Sequence, residues 1–217
     1  MAELNKLKKV LNVGNITSQK INKIEFRGAF LDAYGKPQDR GVWFFWGGSG
    51  SGKSVHVMQV SKEMNEVMSE KTIHNLCEEE TDDSDYVERV EITEMSDVKE
   101  YYFAASYNYE QLCKYLDKAN SPKIVIIDSA TYFFKDKSQY MDFVKKYKKR
   151  KLILITGHAD GSKPRSELEK DIMYNAKMKI FCNAYATSCK GRTIGPNGGV
   201  FIVWQEGHNK VNGHQQK

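Results

Sequence analysis

Residues 42–55, VWFFWGGSGSGKSV, decide the fold of this chain. Val42 to Trp46 is an unbroken apolar run with the composition of a parallel strand buried on both faces. It passes into Gly47-Gly48-Ser49-Gly50-Ser51-Gly52-Lys53-Ser54, which satisfies the pattern G-x-x-x-x-G-K-[ST] in full. Val55 to Glu70 follows with helix-like spacing and neither Gly nor Pro. A flexible Gly/Ser linker would share the middle composition but not the strand before it and the helix after it. The order has a physical basis. Glycines let the backbone turn successive N–H groups inward as an anion nest, and the helix start adds unpaired N–H groups and the positive end of its dipole. The segment therefore predicts a polyphosphate site built from Gly47, Gly48, Ser49, Gly50, Ser51, Gly52, Lys53, Ser54 and Val55. Lys53 would reach the β- and γ-phosphates, and the Ser54 hydroxyl would ligate Mg²⁺.

Outward from this stretch, Lys123 to Asp128 (KIVIID) reads as a second buried strand. Its terminal Asp128 is delivered to the same crevice, where it would hold the Mg²⁺ shell. Thr72 to Cys77 reads as a strand ending in Glu78-Glu79-Glu80, and Lys151 to Thr156 as a strand ending in Gly157-His158. Thr81 to Tyr86 is expected as a polar turn and Arg89 to Thr93 as a further strand. Asn108 to Ala119 reads as a helix, broken by Asn120-Ser121-Pro122, and Ser129 to Lys151 as two helical pieces. Ser166-x-x-Glu169 has the capping-box pattern of a helix start. Lys177 to Ala186 and Gly199 to Trp204 read as a C-terminal antiparallel hairpin across Pro196-Asn197-Gly198-Gly199. The expected fold class is therefore α/β, a three-layer P-loop architecture around a mostly parallel central sheet. The expected boundaries are an arm or cap over residues 1–40, a core over 41–205, and a polar tail over 206–217. The first segment caps the core or docks on a neighbouring subunit; its residues do not choose.

At 217 residues the chain has room for one such domain and its core. The charged fraction of 28% and hydrophobic fraction of 40% are those of a globular protein, and no apolar run approaches the length of a membrane span. The N-terminus lacks the apolar core of a signal peptide, so a cytoplasmic location without a membrane partner is expected. Cys77, Cys113, Cys182 and Cys189 make no C-x-x-C pair, which favours reduced thiols over zinc or disulfides. The net charge of +5 is unevenly spread, acidic over 78–100 and basic over 145–151 and 163–192.

Lys53 and Asp128 lie 75 residues apart, enough for a strand and a helix between them. With an acidic strand end in that interval, the chain resembles the RecA-like ATPases over most of residues 40–205. The matching segments are GGSGSGKS, NLCEEE, KIVIIDS and LILITGH, in that order. More narrowly, it is similar to the compact, core-only RecA-like proteins of bacteriophages. The resemblance implies ATP and Mg²⁺ as ligands, with Glu78 as the residue that activates water and Glu79 as the reserve. His158 would sense the γ-phosphate, unless it is a structural histidine. Lys163 and Arg165 would be DNA contacts, and Lys190, Arg192 and Lys210 cations reaching a neighbour's nucleotide, against the plainer reading of each as surface charge. The leading expectation is an ATPase that assembles with copies of itself, as ring or filament with the ATP site at the subunit interface. Single-stranded DNA is the expected polymer, in recombination, repair or replication. The alternatives are a nucleotide-switched loader or packaging accessory with little turnover, and a small-molecule kinase.

Overall fold

Apolar residues alternate in their destination along every central strand, and that alternation builds the layers. In 42–46, Trp43 and Phe45 enter one core, while Val42, Phe44 and Trp46 enter a second on the other side of the sheet. Ile124 and Ile126 join the first core, and Val125 and Ile127 the second. A strand that buries both faces must have helices on both sides.

The computed structural model describes residues 9–191 and 193–213. In chain order its elements are α1 (Val13–Thr17), α2 (Gly28–Tyr34), β1 (Gly41–Gly47), α3 (Lys53–Met68), β2 (Thr72–Leu76), α4 (Ser84–Ile92), β3 (Tyr102–Ala105), α5 (Tyr109–Leu116) and β4 (Ile124–Asp128). There follow α6 (Ala130–Phe133), α7 (Lys137–Tyr147), β5 (Leu152–Asp160), β6 (Lys163–Pro164), α8 (Glu167–Asn175), β7 (Met178–Asn183), β8 (Ala186–Gly191), β9 (Val200–Ile202) and α9 (Gln205–Gly213). The sheet order is β3-β2-β4-β5-β1-β7-β8-β9, with β6 paired to β5. Strands β3 through β7 along that order are parallel, and β8 and β9 close the edge antiparallel. The expected three-layer, mostly parallel fold with antiparallel C-terminal strands is therefore present.

One core is covered by α3, through Val57, Met58, Val60 and Met64, and by the segment before β1, through Ile24, Phe26 and Tyr34. The other is covered by α5, α7 and α8, through Leu112, Leu116, Tyr140, Phe143, Tyr147 and Ile172. Each such side chain removed from water stabilises the fold by about 1.5–3 kcal/mol. Among the described residues no helix is long and apolar enough to cross a membrane. The four cysteines are free. Burial pushes the Cys77, Cys182 and Cys189 thiols up to about 12, so they are inert at neutral pH.

Four local expectations are corrected. Residues 89–93 are not a strand but the last turn of α4 and its cap. Arg-Val-Glu-Ile-Thr alternates like a strand, yet Tyr86 and Val90, one turn apart, both face the first core. That helix also absorbs the end of the expected polar turn at 81–86. The C-terminal hairpin is a three-stranded meander. Its first turn falls at Ala184-Tyr185, both with positive φ (48° and 56°), the geometry of a two-residue hairpin turn without its usual Asn or Gly. The expected Pro196–Gly199 turn joins β8 to β9 instead. Finally, residues 205–213 are helical rather than a polar tail, with Gly207 against the Trp204 ring and His208 Nδ1 2.8 Å from the Ala184 carbonyl.

Candidate nucleotide site

The strand register aligns the expected functional groups along one edge. Leu76 pairs with Asp128 across β2 and β4, so the residues after each lie side by side. Gly47, the first glycine of the loop, pairs with His158 across β1 and β5, and with Cys182 on β7. Reading across the carboxyl ends gives Glu78, Asp128, His158, the glycine loop and then Tyr185. In open α/β sheets this is the edge where ligands bind. Strand β5 separates β1 from β4, so the two motif strands are not neighbours.

Gly48 to Val55, Glu78, Glu79, Asp128 and His158 line one cavity of about 760 Å³, together with Asp83, Ser84, Asp85, Arg89 and Tyr185. The glycine loop is tightly wedged at its start. A Cβ at Gly47 would collide with the Cys182 carbonyl and with Ser51 Oγ, so only glycine fits. Gly52, at φ +88°, turns the chain into α3 with no side-chain cap on its N-terminal N–H groups. Those donors need an external acceptor. Ser51 Oγ is also buried without a partner.

Asp128 is buried at the floor of the cavity. Thr156 Oγ1 donates to its Oδ1, and His74 Nε2 stands 3.6 Å from its Oδ2. Burial alone would raise its pKa, but the His74 contact, the charge of Lys53 and the Thr156 bond together hold it well below the ordinary carboxylate range. The result is a fixed anion facing the loop. Among the described residues no cluster of three His, Cys, Asp or Glu side chains forms a closed metal cage. A hydroxyl, one carboxylate and ligand phosphates make the donor set that Mg²⁺ accepts, because it retains several waters.

Glu78 reaches across from β2. Ser129 Oγ donates to its Oε1, and His158 Nε2 lies 3.1 Å from the same oxygen and 3.5 Å from Ser129 Oγ. Glu79 turns away from that group and pairs with Arg89 Nη2. His158 is held from behind by Glu169, whose Oε1 accepts from the His158 backbone N–H at 2.7 Å. The same buried carboxylate accepts from Ser166 N–H and Oγ at 2.8 and 2.9 Å, completing the expected capping box. Sequence reasoning found the cap but missed its grip on the site.

The remaining expected residues lie apart from the cavity. Lys163, in β6, and Arg165, just after it, are exposed next to the β5–β6 turn, which is pinned by the Trp46 Nε1 bond to the Ser162 carbonyl at 3.0 Å. Lys190 is exposed on β8, Lys210 lies 5.7 Å over the Trp204 ring, and neither lines the cavity. Arg192 lies outside the described residues. His74, Ser129, Thr156, Arg89 and Tyr185 were not anticipated. The β2–β4 pairing would have exposed Ser129, because aligning the ends of TIHNL and IVIID sets the residues after them together.

No family model matches the sequence, and no curated protein matches it. Solved structures do share the fold. A KaiC-like protein from the hyperthermophilic archaeon Pyrococcus horikoshii OT3 superposes with TM-score 0.61 at 16% identity, over 84% of this chain and 98% of that one. The flagellar accessory protein FlaH from Methanocaldococcus jannaschii gives TM-score 0.60 at 13% identity, over 85% and 96%. The architecture is RecA-like.

Proposed function

We propose that this chain is a Mg²⁺-dependent ATPase that assembles with copies of itself and acts on single-stranded DNA in recombination, repair or replication, in the cytoplasm. The observation that carries the ATPase reading is the meeting of the glycine loop, Asp128 and Glu78 around one cavity. In this reading the loop amides and Lys53 bind the β- and γ-phosphates. Ser54 and Asp128 hold Mg²⁺, which neutralises the phosphate oxygens when bound. Glu78 orients a water and accepts its proton as the water oxygen attacks the γ-phosphorus. The bond to the β,γ-bridging oxygen breaks, leaving ADP and inorganic phosphate. His158 and Ser129 fix the Glu78 carboxylate, which supports its role as the base over Glu79.

The DNA half rests on other features. Lys163 in β6 and Arg165 just after it follow a braced turn continuous with the strand that carries His158, so a phosphate backbone there would be coupled to the site. The motif resemblance to compact, core-only phage proteins supports the same assignment. Lys190, Arg192 and Lys210, lying off the cavity or outside the described residues, stay as candidate contacts to a neighbouring copy. A second reading, a nucleotide-switched module with little turnover, is favoured by Glu78 already being engaged by Ser129 and His158. Phosphate release from ATP, measured with and without single-stranded DNA, separates them. The ATPase reading predicts release that DNA stimulates and Lys53→Ala abolishes; tight binding with no release on any polymer would replace it with the switch.

A further inference from the structure

Among the described residues, the only lysine or arginine besides Lys53 that lines the cavity is Arg89. It projects from α4 one turn after Asp85, which lines the same wall, and its guanidinium lies 5.8 Å over the Tyr86 ring. Nη2 pairs with Glu79, but Nε is buried and has no partner. The side chain is 21% exposed, enough to reach the cavity and too little to be solvated like a surface arginine.

The charges around it make the requirement plain. The cavity lining carries Glu78, Glu79, Asp83 and Asp85, and Asp128 stands on the floor. A triphosphate entering between these carboxylates and the loop meets like charge. A guanidinium in the lining is the group that can offset that repulsion, because its planar fork matches phosphate oxygens. Resting on the ATPase reading, we infer that Arg89 is a phosphate-binding residue acting within its own subunit. Glu79 parks the guanidinium in the empty site, and the γ-phosphate takes it over when ATP binds.

The test uses the full chain as wild type, Arg89→Gln, Arg89→Lys and Glu79→Gln, each checked for a cooperative thermal transition. Affinities for Mg²⁺·ATP and Mg²⁺·ADP are measured by displacement of a fluorescent nucleotide, and turnover is measured for each protein. Arg89→Gln lowers ATP affinity about 10- to 100-fold and leaves ADP affinity within a few-fold, and it lowers turnover about 10²- to 10³-fold. Arg89→Lys recovers part of the ATP affinity. Glu79→Gln, which frees the guanidinium, keeps ATP affinity at or above wild type. Equal losses for ATP and ADP in Arg89→Gln, or no loss of either, overturn the inference and leave Arg89 as a brace for Glu79. Should Arg89→Gln fail to fold, an unchanged ATP-to-ADP ratio in Arg89→Lys together with weakened ATP binding in Glu79→Gln overturns it equally. If wild type and Lys53→Ala alike bind neither nucleotide, the ATPase reading itself has failed and the inference with it.

Discussion

The two ends of the central sheet each bury a charge, and they treat it in opposite ways. Lys151, just before β5, donates its Nζ to the Ser121 Oγ at 2.9 Å, the Pro122 carbonyl at 2.7 Å and the Ser121 carbonyl at 3.4 Å. Every acceptor is fixed in the β4 approach loop, so the ammonium is saturated and closed off. Burial first, then the neighbouring Arg150 and Lys123 charges, push it down to about 8. Asp128, at the far end of β4, is equally buried but faces a cavity, with Lys53 and His74 favouring its charge. A charge closed by fixed acceptors is a structural device. A charge kept ionised against an open cavity is poised for a ligand.

That contrast is open to attack from both ends. The largest effect is expected at the cavity end. Asp128→Asn keeps the shape but removes the anion, and turnover with Mg²⁺ falls by about 10²–10³-fold. In the same variant the stability lost at pH 7 relative to wild type shrinks as pH drops below the ordinary carboxylate value of about 3.9, because the unfolded wild-type chain then protonates Asp128 while the fold keeps it ionised. Unchanged turnover would remove Asp128 from the site. At the other end, Lys151→Met leaves turnover per folded molecule unchanged and costs about 1–3 kcal/mol by orphaning the Ser121 and Pro122 acceptors. The unfolded chain binds more protons than the fold between pH 8 and the ordinary lysine value of 10.5. Wild-type stability relative to Lys151→Met therefore rises across that window. Denaturant midpoints at pH 7.5 and 10.5 check this; a constant gap would mean the ammonium carries no burial penalty. The smallest effect concerns the β5–β6 turn. Lys163→Ala and Arg165→Ala should each reduce the salt dependence of single-stranded DNA binding by about one counterion, with ATP affinity unmoved. Identical slopes would return both residues to plain surface charge.

What the sequence discloses follows the same division. Strong local signals survive folding. The apolar runs before Gly47 and Asp128 must be two-faced strands, and the Ser166–Glu169 cap needs only residues in one turn. Weak local signals do not survive. Tyr102–Ala105 is short, half-exposed and at the sheet edge, so it lacks the apolar density of an inner strand. Arg-Val-Glu-Ile-Thr alternates like a strand, but the first core takes Tyr86 and Val90, a helical turn apart, and the segment is helix. In the site, the loop and Asp128 are legible because their chemistry is carried by contiguous residues. The Glu78–Ser129–His158 group and the Glu79–Arg89 pair depend on which strands are neighbours, and no spacing along the chain encodes that. The adjacency of β2 and β4 also sets Glu78, rather than Glu79, against Ser129.

The most direct test of the central claim is single-turnover phosphate release from Mg²⁺·ATP by wild type and Glu78→Gln, with ATP binding measured in parallel. The account predicts that Glu78→Gln binds ATP within a few-fold of wild type and releases phosphate about 10²–10⁴ times more slowly. Release at the wild-type rate by Glu78→Gln would contradict it.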